Sequence, residues 1–191
     1  MTGALAGLRV AFLAADGVEQ VEHETPWRAL VDQGALPELL SFAPGHVQAF
    51  TFPEPGAQFV VDRTVNEASV DDYAGLVIPG GTASPDLLRE NPETVDFVRA
   101  VHSRDLPVAA ICHAPWLLIE AGLARGRRLT SWPSIATDIR NAGGDWIDKE
   151  VVIDRGVITS RGPADLAAFC EATITALQGT HRSDRPYAPS Q

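Results

Sequence analysis

The sequence of 191 residues predicts an α/β fold: a three-layer sandwich with helices on both faces of a mostly parallel sheet. Three observations lead there. Short, nearly continuous apolar runs recur along the chain, the pattern of strands covered on both faces. Most are followed by a stretch of helical spacing, so strand and helix alternate and successive strands are expected to run parallel. One run, residues 108–111, enters its helix through a cysteine and a histidine, the strand–turn–helix form of a nucleophile elbow.

Residues 8–14 (LRVAFLA) are the first buried strand, ended by Asp16-Gly17. Residues 19–34 follow as a helix with Val21, Leu30 and Val31 on its apolar side, Gly34 as its stop, and Pro26 marking a kink or second start. Residues 36–42 form the second strand. Between 44 and 70 the pattern changes to short alternating pieces, 46–50 and 58–61, which predict a hairpin or edge ribbon beside the main sheet. Residues 75–79 are a further buried strand stopped by Pro79-Gly80-Gly81, and 92–104 a helix with Val95, Val98, Ala100 and Val101 at helical spacing. After the Cys112 unit come a short strand at 128–131, a helix at 133–142 stopped by Gly143-Gly144, and a hairpin at 151–159 turning on Asp154-Arg155-Gly156. Residues 164–177 close the domain as an amphipathic helix through Leu166, Phe169, Ile174 and Leu177. The expectation is one domain over residues 1–178, with the polar segment 179–191 as a loosely ordered tail.

Composition narrows the function classes. With 45% hydrophobic and 21% charged residues the chain has an ordinary globular balance. A net charge of -10 argues against nucleic acid as a partner, because phosphate backbones are held by clustered Lys and Arg. Arg125, Arg127 and Arg128 form the one basic cluster, expected as a solvated loop. No run approaches the roughly 18 apolar residues of a membrane span, and no basic segment leads into an apolar run at the start. Cys112 and Cys170 lie far apart, without a disulfide framework, which favours a reduced, cytoplasmic compartment. Cys170 falls inside the last helix and is expected in the core. His23, His46, His102 and His181 lack metal-ligand spacing and are expected at the surface, so no metal is implied.

The chemistry gathers around Cys112. A cysteine at a helix N-terminus meets exposed amides and the positive end of the helix dipole, which favours thiolate over thiol. Ala109, Ala110 and Ala114 are small enough to let the backbone bend there. The same placement also suits an inert core thiol. In open parallel sheets the loops at the strand ends converge, so three loops are expected to meet: residues 15–22, Pro79-Gly80-Gly81, and Cys112-His113. Gly80-Gly81 is then either a plain tight turn or, with the His113 amide, an oxyanion hole. Glu19 and Glu22 share one face of a helix start, either as surface groups or with one carboxyl turned to the thiol.

Six segments together resemble the PfpI-type branch of the ThiJ/PfpI superfamily, the branch of intracellular cysteine peptidases and bacterial protein deglycases. They are DGVEQVE at 16–22, LVIPGG at 76–81, AICHAP at 110–115, NAG at 141–143, EVV at 150–152 and TSRGPADL at 159–166. The resemblance spans roughly residues 8–177 and implies a flavodoxin-like, class I glutamine-amidotransferase-like fold, usually a homodimer or a larger ring of dimers. It implies Cys112 as nucleophile, His113 as the adjacent histidine, Glu22 as the carboxyl bonded to the cysteine, and Glu19 nearby. Asp86 resembles the acidic residue that in some members reaches a neighbouring subunit's histidine, although the spacer Thr82-Ala83-Ser84 is longer than expected in peptidase-type members. Members carry peptidase, deglycase, cofactor-independent glyoxalase and redox stress roles. The resemblance therefore implies no cofactor, and either small carbonyl compounds, glycated proteins or peptides as substrates, or an oxidisable Cys112 in a sensor.

Overall fold

Both sides of the central strands are covered. In β1 (Arg9–Leu13), Val10 and Phe12 enter one apolar layer while Ala11 and Leu13 enter the other, and all four are fully buried. A continuous apolar run encodes this because alternate strand residues face opposite sides. Burial of Phe12 alone contributes roughly 1.5–3 kcal/mol.

The computed structural model describes residues 3–183. β1 pairs in parallel with β3 (Leu36–Ser41) and β7 (Leu76–Ile78), β7 with β8 (Val108–Ile111), β8 with β12 (Val157–Ser160), and β3 with β6 (Arg63–Thr64). β11 (Val151–Asp154) closes one edge antiparallel to β12, giving the order β11-β12-β8-β7-β1-β3-β6. Arg155 and Gly156, at φ 48° and 79°, make the tight turn of that hairpin. One face is covered by α1 (Gln20–Asp32) and α6 (Leu166–Ser183). The other carries α2 (Ala83–Glu90), α3 (Pro92–Ser103), α4 (Pro115–Glu120) and α5 (Ala136–Asn141). This is the α/β sandwich the alternation predicts.

The expected ribbon is a hairpin of β4 (His46–Thr51) and β5 (Glu54–Val60), joined to β2 (Val18–Glu19) in a separate three-stranded sheet. The strand expected at 128–131 shortens to β9 (Arg128–Leu129), which leaves the main sheet to pair with β10 (Asp145–Trp146). A 3-10 turn, Pro133–Ile135, opens the segment expected as one helix, and α5 takes up the rest.

Several expectations need correction. α1 runs unbroken through Pro26, whose missing N–H removes one intrahelical bond without ending a helix packed against sheet and α6. Its buried side carries Glu22, His23, Pro26 and Leu30, whereas Val21 and Val31 are exposed, so the face is rotated from the one the valines suggest. His23 is buried, not at the surface, stacked on Phe59 and Trp27 with Phe12 at its edge. His102 is half-buried beside Arg127, itself only half-exposed, while His46 is exposed as expected and the side chain of His181 lies outside those described. α2 was not expected at all. The last helix extends to Ser183, past the expected boundary at 178, and the rest of the tail, residues 184–191, lies outside the described residues. Cys170 is buried as expected, and both cysteines are free. Among the described residues no helix is long and apolar enough to cross a membrane.

Candidate active site

β8 ends at Ile111, and the next residue, Cys112, sits in the left-handed region at φ 64°. A non-glycine residue holds such a conformation only where its surroundings over-determine it. Here the Cys112 amide donates to Ser160 O on β12 at 3.0 Å, and its carbonyl accepts from the Trp132 amide at 2.9 Å. Both backbone groups are fixed, and with them the direction in which the Cys112 side chain leaves the main chain. The small neighbours Ala110 and Ala114 are fully buried around the bend.

The three strand-end loops meet at this point. The Glu19 amide donates to Gly80 O at 3.3 Å, tying the first loop to the second. Gly80 lies between Cys112 and Glu22: a Cβ there would fall 2.5 Å from Cys112 Cβ and 2.5 Å from Glu22 Oε2. Gly81, at φ 84°, is equally bound to glycine, since a side chain would strike Gly17 O. Ser84 on α2 accepts the Ala15 amide at 3.0 Å and so holds the first loop against the second.

Glu22 is fully buried on the first turn of α1 and its Oε2 accepts the Gly80 amide at 2.9 Å. Gly80 therefore departs from its expected oxyanion-hole role: its amide is committed to Glu22, and the amides of Gly81 and His113 are the ones that face the sulfur. Burial pushes the Glu22 carboxyl up to about 8, against the opposing hydrogen bonds from Cys112 and Gly80. Glu19, at the junction of β2 and α1, accepts the Phe52 amide and is also raised by burial.

Cys112 does not have the depressed pKa that its place before a helix suggests. Burial pushes the thiol up, and charge on Glu22 pushes it further, while the Gly81 and His113 amides pull it down. α4 spans only Pro115–Glu120, a short helix with a correspondingly small end field. Charge on either member of the pair disfavours charge on the other, so Glu22 and Cys112 titrate together. A protonated Glu22 removes the repulsion and leaves the two amides free to favour the thiolate.

His113 Nδ1 lies 3.2 Å from Cys112 Sγ, and its Nε2 lies 3.2 Å from Ser134 Oγ. If Ser134 accepts from Nε2–H, Nδ1 is left as an acceptor for the thiol proton. The ring sits between Trp116 at 5.2 Å and Trp132 at 6.1 Å, and burial lowers its pKa. Asp86 lies on the exposed side of α2. Its carboxylate pairs with Arg89 at 2.7 Å, and the Arg89 guanidinium lies 4.7 Å over Trp116.

The thiol opens onto a cavity of about 530 Å³. Its lining combines Glu19, Glu22, Gly81, Cys112 and His113 with Phe50, Phe52 and Pro53 of the hairpin and with Trp132 and Pro163. Among the described residues no three His, Cys, Asp or Glu side chains are grouped to hold a metal ion.

The chain matches the DJ-1/PfpI family over residues 8–176. This chain belongs to the DJ-1/PfpI family. A deglycase of Pyrococcus abyssi is 39% identical over 171 residues, 90% of this chain and 100% of its own length. The deglycase PfpI of Pyrococcus furiosus is 37% identical over 171 residues, again 90% of this chain and 100% of its own. A two-domain protein of Anabaena variabilis, with DJ-1/ThiJ/PfpI-like and ferritin-like domains, is 36% identical at a TM-score of 0.83, covering 89% of this chain. This chain spans 48% of that one, about half its length. The fold that the resemblance implies is thus the fold observed.

Within this DJ-1/PfpI chain, Trp132, Ser134 and Trp116 are site residues that the sequence reading missed. Trp132 and Ser134 lie some twenty residues beyond the cysteine, and the hydrogen bonds from the Trp132 amide to Cys112 O and between Ser134 and His113 return them to it. No local pattern announces that approach. α2 did carry a signal, Pro85 and Asp86 in a first turn and Arg89 in the last, hidden because the segment follows Gly80-Gly81 directly.

Proposed function

We propose that this protein is a cysteine-dependent enzyme acting on reactive carbonyls and on early glycation adducts of amines, protective under carbonyl stress, with no cofactor. One observation carries the reading: a thiol held at φ 64° on the floor of a cavity, with a carboxyl of pKa about 8 on one side and an imidazole at 3.2 Å on the other. Addition to an aldehyde needs a nucleophile, an acid for the oxygen and a base for the carbon-bound proton. A carboxyl poised near neutrality serves as acid and then as base.

With methylglyoxal the steps run as follows. A bond forms between Cys112 Sγ and the aldehyde carbon while His113 Nδ1 takes the thiol proton and Glu22 gives its proton to the oxygen. The Gly81 and His113 amides hold the developing charge. The resulting hemithioacetal loses its carbon-bound proton to Glu22 while His113 gives the proton it holds to the neighbouring ketone oxygen, which leaves an enediol and a neutral imidazole. Glu22 returns that proton to the second carbon, His113 takes the hydroxyl proton, and a thioester remains. Water cleaves it, restoring the thiol and releasing lactate. An early adduct of an amine enters the same sequence when its carbon passes to Sγ and the free amine departs.

The test is lactate formation from methylglyoxal by the purified, reduced protein, with Cys112→Ala alongside. Turnover by the wild type alone is the expected result. Equal lactate from Cys112→Ala, or none from reduced wild type, overturns the reading.

A further inference from the structure

The mouth of the Cys112 cavity has a chemistry of its own. Trp132 is clamped to the elbow through its amide on Cys112 O at 2.9 Å. Its ring lies against Gly162, where a Cβ would stand 3.0 Å from Cε3 and Cζ3, so glycine is what lets the indole come this close. Trp132 remains 43% exposed, and Phe52, which lines the same cavity, is 85% exposed. Two exposed aromatic side chains lining one cavity are an apolar surface that a bound group covers with gain. The charges tell a second, independent story. Glu19 and Glu22 are the ionisable carboxyls of the cavity, and among the described residues no Lys or Arg lines it. An anionic group on the substrate would find no side-chain counter-charge there.

We infer that the cavity selects uncharged 2-oxoaldehydes bearing an apolar, best an aryl, group beside the ketone, and rejects analogues bearing a carboxylate. This rests on the carbonyl reading above. The aldehyde carbon stands at Sγ, the two oxygens at the Gly81 and His113 amides and Glu22, and the aryl group between Trp132 and the hairpin lip. The chemistry is that of methylglyoxal: the aldehyde hydrogen moves to the ketone carbon, water adds at the former aldehyde carbon, and phenylglyoxal leaves as mandelate.

The experiment compares kcat/KM for methylglyoxal, phenylglyoxal and 4-carboxyphenylglyoxal, each divided by its rate of addition to free 2-mercaptoethanol. Phenylglyoxal is expected at least about tenfold above methylglyoxal and about thirtyfold above its carboxylated analogue, the ranges that one apolar contact surface and one unpaired charge supply. Trp132→Ala brings the phenylglyoxal-to-methylglyoxal ratio to within about threefold of one, and Trp132→Phe restores most of it. In parallel, the rates of Cys112 alkylation by phenacyl bromide and by iodoacetate are followed by intact mass and normalised to free cysteine. If no 2-oxoaldehyde is turned over, the carbonyl reading fails, and a phenacyl-over-iodoacetate preference lost in Trp132→Ala still upholds the selectivity. Equal normalised rates for neutral and anionic reagents, or a preference untouched by Trp132→Ala, overturn the inference.

Discussion

The Gly80 amide donates to Glu22 Oε2 at 2.9 Å, and the Gly80 Cα leaves no room for a methyl between Glu22 and Cys112. The glycine thus aims the carboxyl and, by having no side chain, lets it approach the thiol. Gly80→Ala is expected to cost about 1–3 kcal/mol of stability through overpacking and to lower methylglyoxal turnover about a hundredfold by displacing the pair. Denaturant unfolding and initial rates check both; an alanine variant of wild-type activity would mean the loop moves freely.

Glu22 carries a stability signature. Its folded pKa is about 8, above the ordinary 4.5, so between those values the native state holds a proton that the unfolded chain has released. The contribution is full below pH 4.5 and is lost as pH rises through about 8. Relative to Glu22→Gln, the wild type is expected to lose on the order of 4 kcal/mol between pH 5 and 8.5. Parallel stability profiles for the two proteins would remove the assigned shift.

His23 acts in the opposite direction. Burial among Phe12, Trp27 and Phe59 lowers its pKa to about 4 from 6.5, and neither ring nitrogen has a partner among the described residues. The unfolded chain takes up a proton between those values and the native state does not, so stability is full above pH 6.5 and falls as pH drops toward 4. His23→Phe is expected to remove about 3 kcal/mol of that acid sensitivity, measured by thermal unfolding from pH 7 to 4.

Ser134 reaches His113 Nε2 at 3.2 Å and biases which ring nitrogen carries the proton. In Ser134→Ala, kcat is expected to fall about 3–10-fold with KM little changed and the pH–rate profile shifted. An unaltered profile would show that solvent fills the same role.

Asp86 stands apart from the thiol in this chain, paired with Arg89 in an exposed ion pair. Such pairs contribute about 0–1 kcal/mol. Asp86→Ala is expected to leave carbonyl turnover within about twofold and unfolding within about that same margin. A fall beyond tenfold, read together with the size of the particle in solution, would instead place Asp86 in a site completed by another subunit.

The sheet and the elbow were legible in the order of residues. Runs such as residues 8–14 and 108–111 are apolar without alternation, and only a strand covered on both faces buries every residue of such a run. The glycines of Pro79-Gly80-Gly81 and the Asp154-Arg155-Gly156 turn are equally local, because backbone conformation and close approach restrict residue type at one position. Tertiary structure alone decided which face of α1 turns inward, putting Glu22 and His23 where Val21 was expected, because that choice depends on what the helix packs against. It also decided the protonation of the pair. A short helix end favours a thiolate, but burial beside a second acid outweighs it, and burial is a property of the assembled layers. Trp132 and Ser134 joined the site for the same reason: one backbone hydrogen bond between distant segments, which no periodicity records, fixes them beside Cys112 and His113.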